Sequence, residues 1–75
     1  MATPSPTELR VRVAEHLLSL YRIGARAAVH PARLGQMLRE RQPMSGEVAR
    51  RVEEAINAEI TERQRHPAPR HAATS

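Results

Sequence analysis

The side chains of this sequence that can carry chemistry are above all its arginines, and they are unevenly distributed. Residues 22–42 contain five arginines and one glutamate, whereas residues 45–62 contain five glutamates and two arginines. The planar guanidinium group makes forked hydrogen bonds to phosphate oxygens and to the edge of guanine. The basic segment therefore predicts an acidic partner, with nucleic acid the first candidate and an anionic membrane surface a distant second.

Composition narrows the possible classes further. The chain has 75 residues, a net charge of +4, no cysteine and a single aromatic residue, Tyr21. This length fits one small domain. The absence of cysteine excludes disulfides and thiolate metal sites, so that we expect neither a metal nor a cofactor. No apolar run approaches the roughly 18 residues of a membrane span, and the first residues lack the features of a signal peptide.

The residues needed for catalysis are also missing. There is no cysteine nucleophile, no glycine-rich phosphate loop and no pair of carboxylates placed for acid–base chemistry. The chain is too short to enclose a substrate pocket of useful size. We therefore expect neither an enzyme nor a binder of small molecules.

Helices must position these side chains. Apolar residues recur with the period of an α-helix, and no stretch alternates with the period of a strand. We expect a compact all-α domain of four helices over residues 7–63, flanked by disordered tails at residues 1–6 and 64–75. The predicted helix starts are Ser5 or Thr7, Ser19, His30 followed by Pro31, and Ser45, with the last helix reaching Arg63.

The first helix shows the apolar stripe of a core-facing helix, formed by Leu9, Val13, His16 and Leu17. We expect His16 to be a partly buried structural residue. The second and third helices are separated by only a few residues. Gly24 would let their backbones approach, while Val29 in the turn and Leu34 would fix the third helix against the core. This spacing predicts a helix-turn-helix.

The segment resembles the helix-turn-helix of the Cro/repressor family of phage and bacterial regulators. The family pattern begins with an apolar–small pair, here Ile23 and Gly24, and continues through a turn into a recognition helix. The resemblance covers residues 9–56. It includes Ala28, Val29 and His30 in the turn, Leu34 and Met37 on the recognition helix, and the capped helix that starts at Ser45.

The resemblance implies sequence-specific binding of double-stranded DNA by a homodimeric transcriptional regulator, foremost a repressor or Cro-like protein. Such a protein would act in the cytoplasm of a bacterial cell or a phage-infected host, with a recognition helix at about residues 31–39 in the major groove. The implied base contacts are His30, Pro31, Ala32, Arg33 and Gln36. The implied backbone contacts are Ser19, Tyr21, Arg22, Arg39, Arg41 and Gln42. We expect the dimer surface at Ile56 and Ile60, beyond the core.

Several residues depart from the family pattern. Ala28 replaces the usual turn glycine, and a left-handed conformation there would cost roughly 1 kcal/mol. Glu40 stands where glycine is frequent and puts a negative charge near the expected phosphates. Pro31 and Ala32 cannot hydrogen-bond a base edge, which leaves Arg33 and Gln36 for direct readout.

Other interpretations stay open from the sequence alone. The chain could be a helical protein-interaction module that has lost DNA binding, or a nonspecific nucleic-acid-binding protein. Gly35, inside the recognition helix, either allows close approach to DNA or to another helix, or is merely tolerated.

Overall fold

The computed structural model describes residues 3–65, and this part of the chain consists of four α-helices without a strand. The all-α, four-helix expectation is confirmed. Residues 1–2 and 66–75 of the predicted tails lie outside the described residues. At the predicted boundaries, the first helix begins at Pro6 and the last continues to Arg65. The helices are α1 (Pro6–Glu15), α2 (Leu20–Ala27), α3 (Pro31–Leu38) and α4 (Gly46–Arg65).

Side chains at the predicted positions cap the helix N-termini. The Ser5 hydroxyl accepts from the Glu8 amide, while the Glu8 carboxylate accepts from the Ser5 amide, which makes a capping box at α1. Ser19 and Ser45 cap α2 and α4 through their hydroxyl oxygens, and His30 caps α3 through Nδ1. Because one cap is worth about 1 kcal/mol, the helix starts are fixed largely by local sequence.

The helices α1, α2 and α3 end in the same backbone motif, built around a left-handed residue that is not glycine. Leu17, Ala28 and Glu40 have φ angles of 51°, 60° and 61°. After each helix two amides bind back onto the last turn. In α2, for example, the Val29 amide donates to the Gly24 carbonyl at 2.8 Å. This is a Schellman motif, in which glycine usually takes the left-handed position because it has no Cβ.

Ala28→Gly is therefore expected to stabilise the protein by roughly 1 kcal/mol, since it relieves the left-handed strain. Thermal and urea unfolding followed by circular dichroism would measure the change. Ala25→Gly is the matched control, because Ala25 is exposed within the same helix. It should destabilise by roughly 1 kcal/mol through lost helix propensity. Equal destabilisation by both substitutions would contradict strain at Ala28.

The end of α1 corrects the predicted apolar stripe. Leu17 is 80% exposed and His16 is also exposed, whereas Leu18 is buried. The expectation that His16 and Leu17 face the core is wrong, because α1 ends at Glu15. The left-handed Leu17 then changes the direction of the chain, and the helical spacing no longer applies.

The core forms where the four helices meet. The helix α3 is attached to it through Leu34, Met37 and Leu38, which are all buried, and Val29 in the preceding turn packs against it. This attachment leaves the remaining face of α3 exposed. The largest side chains without exposed surface are Leu9, Ile23, Leu34, Val52 and Ile56.

The approach of α2 to the turn that follows it leaves no room for a side chain at Gly24. A Cβ there would lie 2.5 Å from the Val29 carbonyl oxygen and 3.4 Å from the Pro31 nitrogen. Both neighbours are backbone atoms, which cannot move aside as a flexible side chain can. The predicted need for a small residue between these helices thus has its cause in a backbone contact.

Arginines of α4 bind the carbonyl groups that the ends of α1 and α2 leave open. Arg51 donates to the Ala27 carbonyl at 2.9 and 3.0 Å. Arg63 donates to the carbonyls of His16 at 2.7 Å and Leu17 at 3.0 Å. The last carbonyls of a helix lack partners within it and carry partial negative charge. A guanidinium group both donates hydrogen bonds to them and balances this charge. In this way α4 fixes the ends of two helices.

Candidate nucleic-acid interface

The exposed face of α3 brings several of the predicted contact residues together. Ala32, Arg33 and Gln36 are exposed on this helix, and they line one open surface depression with His30 and Gln42. Pro31 is half-buried in the first turn of α3 and does not line the depression. The side chains that can hydrogen-bond a base edge, Arg33 and Gln36, therefore share one surface.

Two predicted contact residues already have a role within the fold. His30 Nδ1 accepts a hydrogen bond from the Ala32 amide at 3.2 Å, so that the other ring nitrogen is the one left for a ligand. The Ser19 hydroxyl oxygen accepts from the Arg22 amide at 3.4 Å. Its proton can still be donated, for example to a phosphate oxygen. Capping and ligand contact are thus compatible at both residues.

Three predicted contact residues are exposed arginines on α3 or just after it. Arg33 lies on α3, and Arg39 and Arg41 follow its end. Within residues 3–65, none of the three forms an ion pair with a carboxylate. An unpaired guanidinium group can bind a phosphate without first giving up another partner.

The structure places Arg22 differently from the prediction. Its Nε lies 2.9 Å and its Nη2 3.4 Å from carboxylate oxygens of Glu59 and Glu62 on α4. Arg26 contacts the same two glutamates, at 3.1 Å in the case of Glu62. The charges of both arginines are therefore balanced inside the fold. A phosphate contact by Arg22 with these ion pairs intact would fall to Nη1, on a side chain that is 60% exposed but whose charge is already balanced.

Glu59 is the buried centre of this network, with 4% of its surface exposed. Burial raises the pKa of its carboxyl, but the hydrogen bonds and charges of Arg26 and Arg22 outweigh burial and hold the pKa below its ordinary value of 4.5. The hydrogen bond that Arg26 donates to the Glu59 carboxylate in turn raises the pKa of Arg26. Glu59 is absent from the residues predicted to have a function. The available signal was its position in line with Val52 and Ile56 on the buried stripe of α4.

The remaining predicted backbone contacts near the helix ends are accessible. Tyr21 is 74% exposed in the first turn of α2.

The Glu40 carboxylate accepts a hydrogen bond from the Thr7 hydroxyl at 2.6 Å. Because Thr7 belongs to the first turn of α1, this negative charge lies at the helix terminus that favours it. The unfavourable charge expected at Glu40 is therefore partly offset within the fold.

The predicted dimer surface needs correction. Ile56 has no exposed surface and belongs to the core, while Ile60 is half-buried and packs against it. The expectation that both lie beyond the core is wrong, because α4 packs on α1 and α2 along much of its length. Ile56 is unavailable to a second subunit.

Arg10 was absent from the predicted contacts although it is exposed. It has no carboxylate partner among the described residues, and it lines a groove between α1 and α3 together with Arg39. Its sequence neighbourhood gives little signal, since helical periodicity predicts which face is buried but not which helix lies beside each edge of that face.

No family model, curated protein or solved structure matches this chain. Within residues 3–65, none of the helices combines the length and the apolar character that crossing a membrane requires. What the exposed surface of α3 can bind follows from its own chemistry. It carries hydrogen-bonding side chains beside free cations, a combination that suits base edges flanked by phosphates.

Proposed function

We propose that α2 and α3 form a helix-turn-helix that places α3 in the major groove of double-stranded DNA, and that the protein is a small transcriptional regulator. The observation that carries this proposal is the position of Arg33 and Gln36. Both are exposed in one depression on α3. Arginine pairs with guanine and glutamine with adenine through forked hydrogen bonds in the major groove.

The size of α3 supports the same assignment. It is an α-helix of eight residues, and an α-helix with its side chains is about 10–12 Å across, which fits the major groove of about 12 Å width. Arg39 and Arg41 follow the helix and have no carboxylate partner within residues 3–65, so that they can bind the phosphates that border the groove. The three residues between α2 and α3 hold this exposed helix against the core through Val29.

We further propose that the protein acts as a homodimer and represses transcription by occupying promoter DNA. One subunit offers two side chains for direct readout, each worth about 1–3 kcal/mol of discrimination. Two subunits on half-sites about one helical turn apart would double this readout. Their contact surface must exclude Ile56, which is buried.

Selection of bound duplexes from a random pool tests the proposal most directly. We expect enrichment of a palindromic motif with half-sites about 10 base pairs apart. Bound DNA without an enriched motif would favour a nonspecific nucleic-acid-binding protein instead. Failure to retain any duplex at low salt would contradict DNA binding and favour a protein-interaction module.

Gln36→Ala and Arg41→Ala should separate readout from backbone binding. For Gln36→Ala, we expect the difference in binding free energy between the selected and the random duplex to shrink by about 1–3 kcal/mol, because a base contact is lost. Arg41→Ala should weaken binding to both duplexes alike and reduce the salt slope by about 1, because a phosphate contact is lost. Salt titrations of affinity on both duplexes provide the measurement. Equal losses on both duplexes for Gln36→Ala would contradict its role in readout.

A further inference from the structure

We propose that the groove between α1 and α3 binds the sugar–phosphate backbone of the DNA, with Arg10 and Arg39 as phosphate ligands and the apolar floor as the deoxyribose contact. This inference rests on the function proposed above. It adds a second element, α1, to the interface and assigns Arg10 a role that the sequence pattern does not indicate.

The geometry of the groove gives it two distinct kinds of surface. Arg10 lies on α1, and Arg39 is the residue that directly follows α3. Both are exposed, and neither has a carboxylate partner among residues 3–65. The floor between them is aliphatic and is formed by Val13, Ala14, Leu20, Gly35 and Leu38.

A nucleic-acid backbone matches both surfaces at once. Its phosphates are anionic and bind guanidinium groups through charge-assisted hydrogen bonds. The sugar between successive phosphates presents carbon atoms that can cover an aliphatic floor. An acidic peptide helix could also use the two arginines, but the groove continues a surface on which DNA binding is already proposed. We therefore assign it to the DNA backbone.

The groove contains or adjoins residues that were predicted to contact the DNA backbone. Arg39 is one of them and lines the groove, and Leu20 in its floor lies in the chain between Ser19 and Tyr21, which are two others. A DNA strand that passes the start of α2 can thus continue over the groove beside α3.

Gly35 keeps the floor of this groove open. A Cβ at this position would meet only the Leu20 Cδ1 atom, at 3.8 Å, which is an ordinary van der Waals distance. An alanine therefore fits the folded protein and would occupy part of the groove. In contrast to Gly24, the glycine is not required by packing between helices, and its function is to leave room for the DNA backbone in the groove.

The test compares wild type, Arg10→Ala, Gly35→Ala and Arg50→Ala on a random-sequence duplex in a salt titration. Arg50 is the matched control, because it is exposed on α4, has no carboxylate partner among residues 3–65, and belongs to a helix that contributes no residue to the groove. We expect Arg10→Ala to weaken binding roughly five- to tenfold at about 0.1 M salt and to reduce the salt slope by about 1. Arg50→Ala should leave both quantities close to those of wild type.

Gly35→Ala tests the groove without removing a charge, so that weaker DNA binding by this variant cannot be due to lost electrostatic attraction. It is expected to raise the Tm by about 4 °C through higher helix propensity and yet to weaken DNA binding. Wild-type affinity for both Arg10→Ala and Gly35→Ala would overturn the inference while leaving the proposed function intact, and would favour an acidic protein segment as the occupant. Failure of wild type to bind DNA would overturn both.

Discussion

Gly24→Ala should lower the free energy of unfolding by about 2–3 kcal/mol, although alanine favours helix formation more than glycine does. The new Cβ would lie 2.5 Å from the Val29 carbonyl oxygen, so that the turn after α2 has to shift. A domain of this size has a free energy of unfolding of only about 3–9 kcal/mol. The substitution would therefore remove a large part of the stability and displace α3 from its position.

Urea unfolding of Gly24→Ala and Gly35→Ala makes a matched comparison, because both place the same methyl group in a helix. At Gly35 the nearest atom outside the helix backbone is at 3.8 Å. We expect Gly35→Ala to raise the free energy of unfolding by up to about 1 kcal/mol. The two substitutions should therefore change this free energy in opposite directions. A Gly24→Ala protein as stable as wild type would contradict the close backbone contact.

Glu59→Gln is expected to lower the free energy of unfolding at neutral pH by about 1–2 kcal/mol. Arg22 and Arg26 donate to different oxygens of Glu59, and glutamine replaces one of these oxygens with an NH2 group, which is a donor and carries no negative charge. The loss is limited because the side chains of these arginines are 60% and 37% exposed and can bind water instead. Glu62→Gln is the control. Its carboxylate contacts the same arginines but is 49% exposed, and we expect a loss below about 0.5 kcal/mol.

At acidic pH, the free energies of unfolding of wild type and Glu59→Gln should become equal. The pKa of Glu59 is lower in the folded protein than its ordinary value of 4.5. Its stabilising contribution is therefore complete above that value and is lost as the pH falls through the folded-state pKa. Urea unfolding from neutral pH to about pH 3 would measure this convergence. A difference that stays constant into acid would contradict the ionic role of Glu59.

The helix starts were predictable because their causes are local. Ser19, His30 and Ser45 cap the helices that follow them, and each cap involves residues two or three positions apart. The end of α1 was not predictable in the same way. It depends on the left-handed conformation of Leu17, a residue type that usually avoids this conformation.

The candidate site was predictable only in part, for a similar reason. Arg33 and Gln36 share the exposed side of α3 because of helical periodicity, which the sequence displays. The ion pairs of Arg22 join residues 37 and 40 positions apart, and no local pattern reports such contacts. The burial of Ile56 likewise depends on how α4 packs against the other helices. Charge counts along the chain therefore overestimated how many arginines are free to meet a ligand.

The bond from Arg63 to the end of α1 also has a consequence for the order of events during synthesis. It joins residues 47 positions apart, close to the end of the described chain. As the ribosome releases the protein from its N-terminus, α1, α2 and α3 emerge while the last turns of α4 are still inside the exit tunnel. The carbonyls of His16 and Leu17 stay bound to water until Arg63 appears. These two bonds therefore form only after Arg63 has left the ribosome, later than the helices α1, α2 and α3 that precede it in the chain.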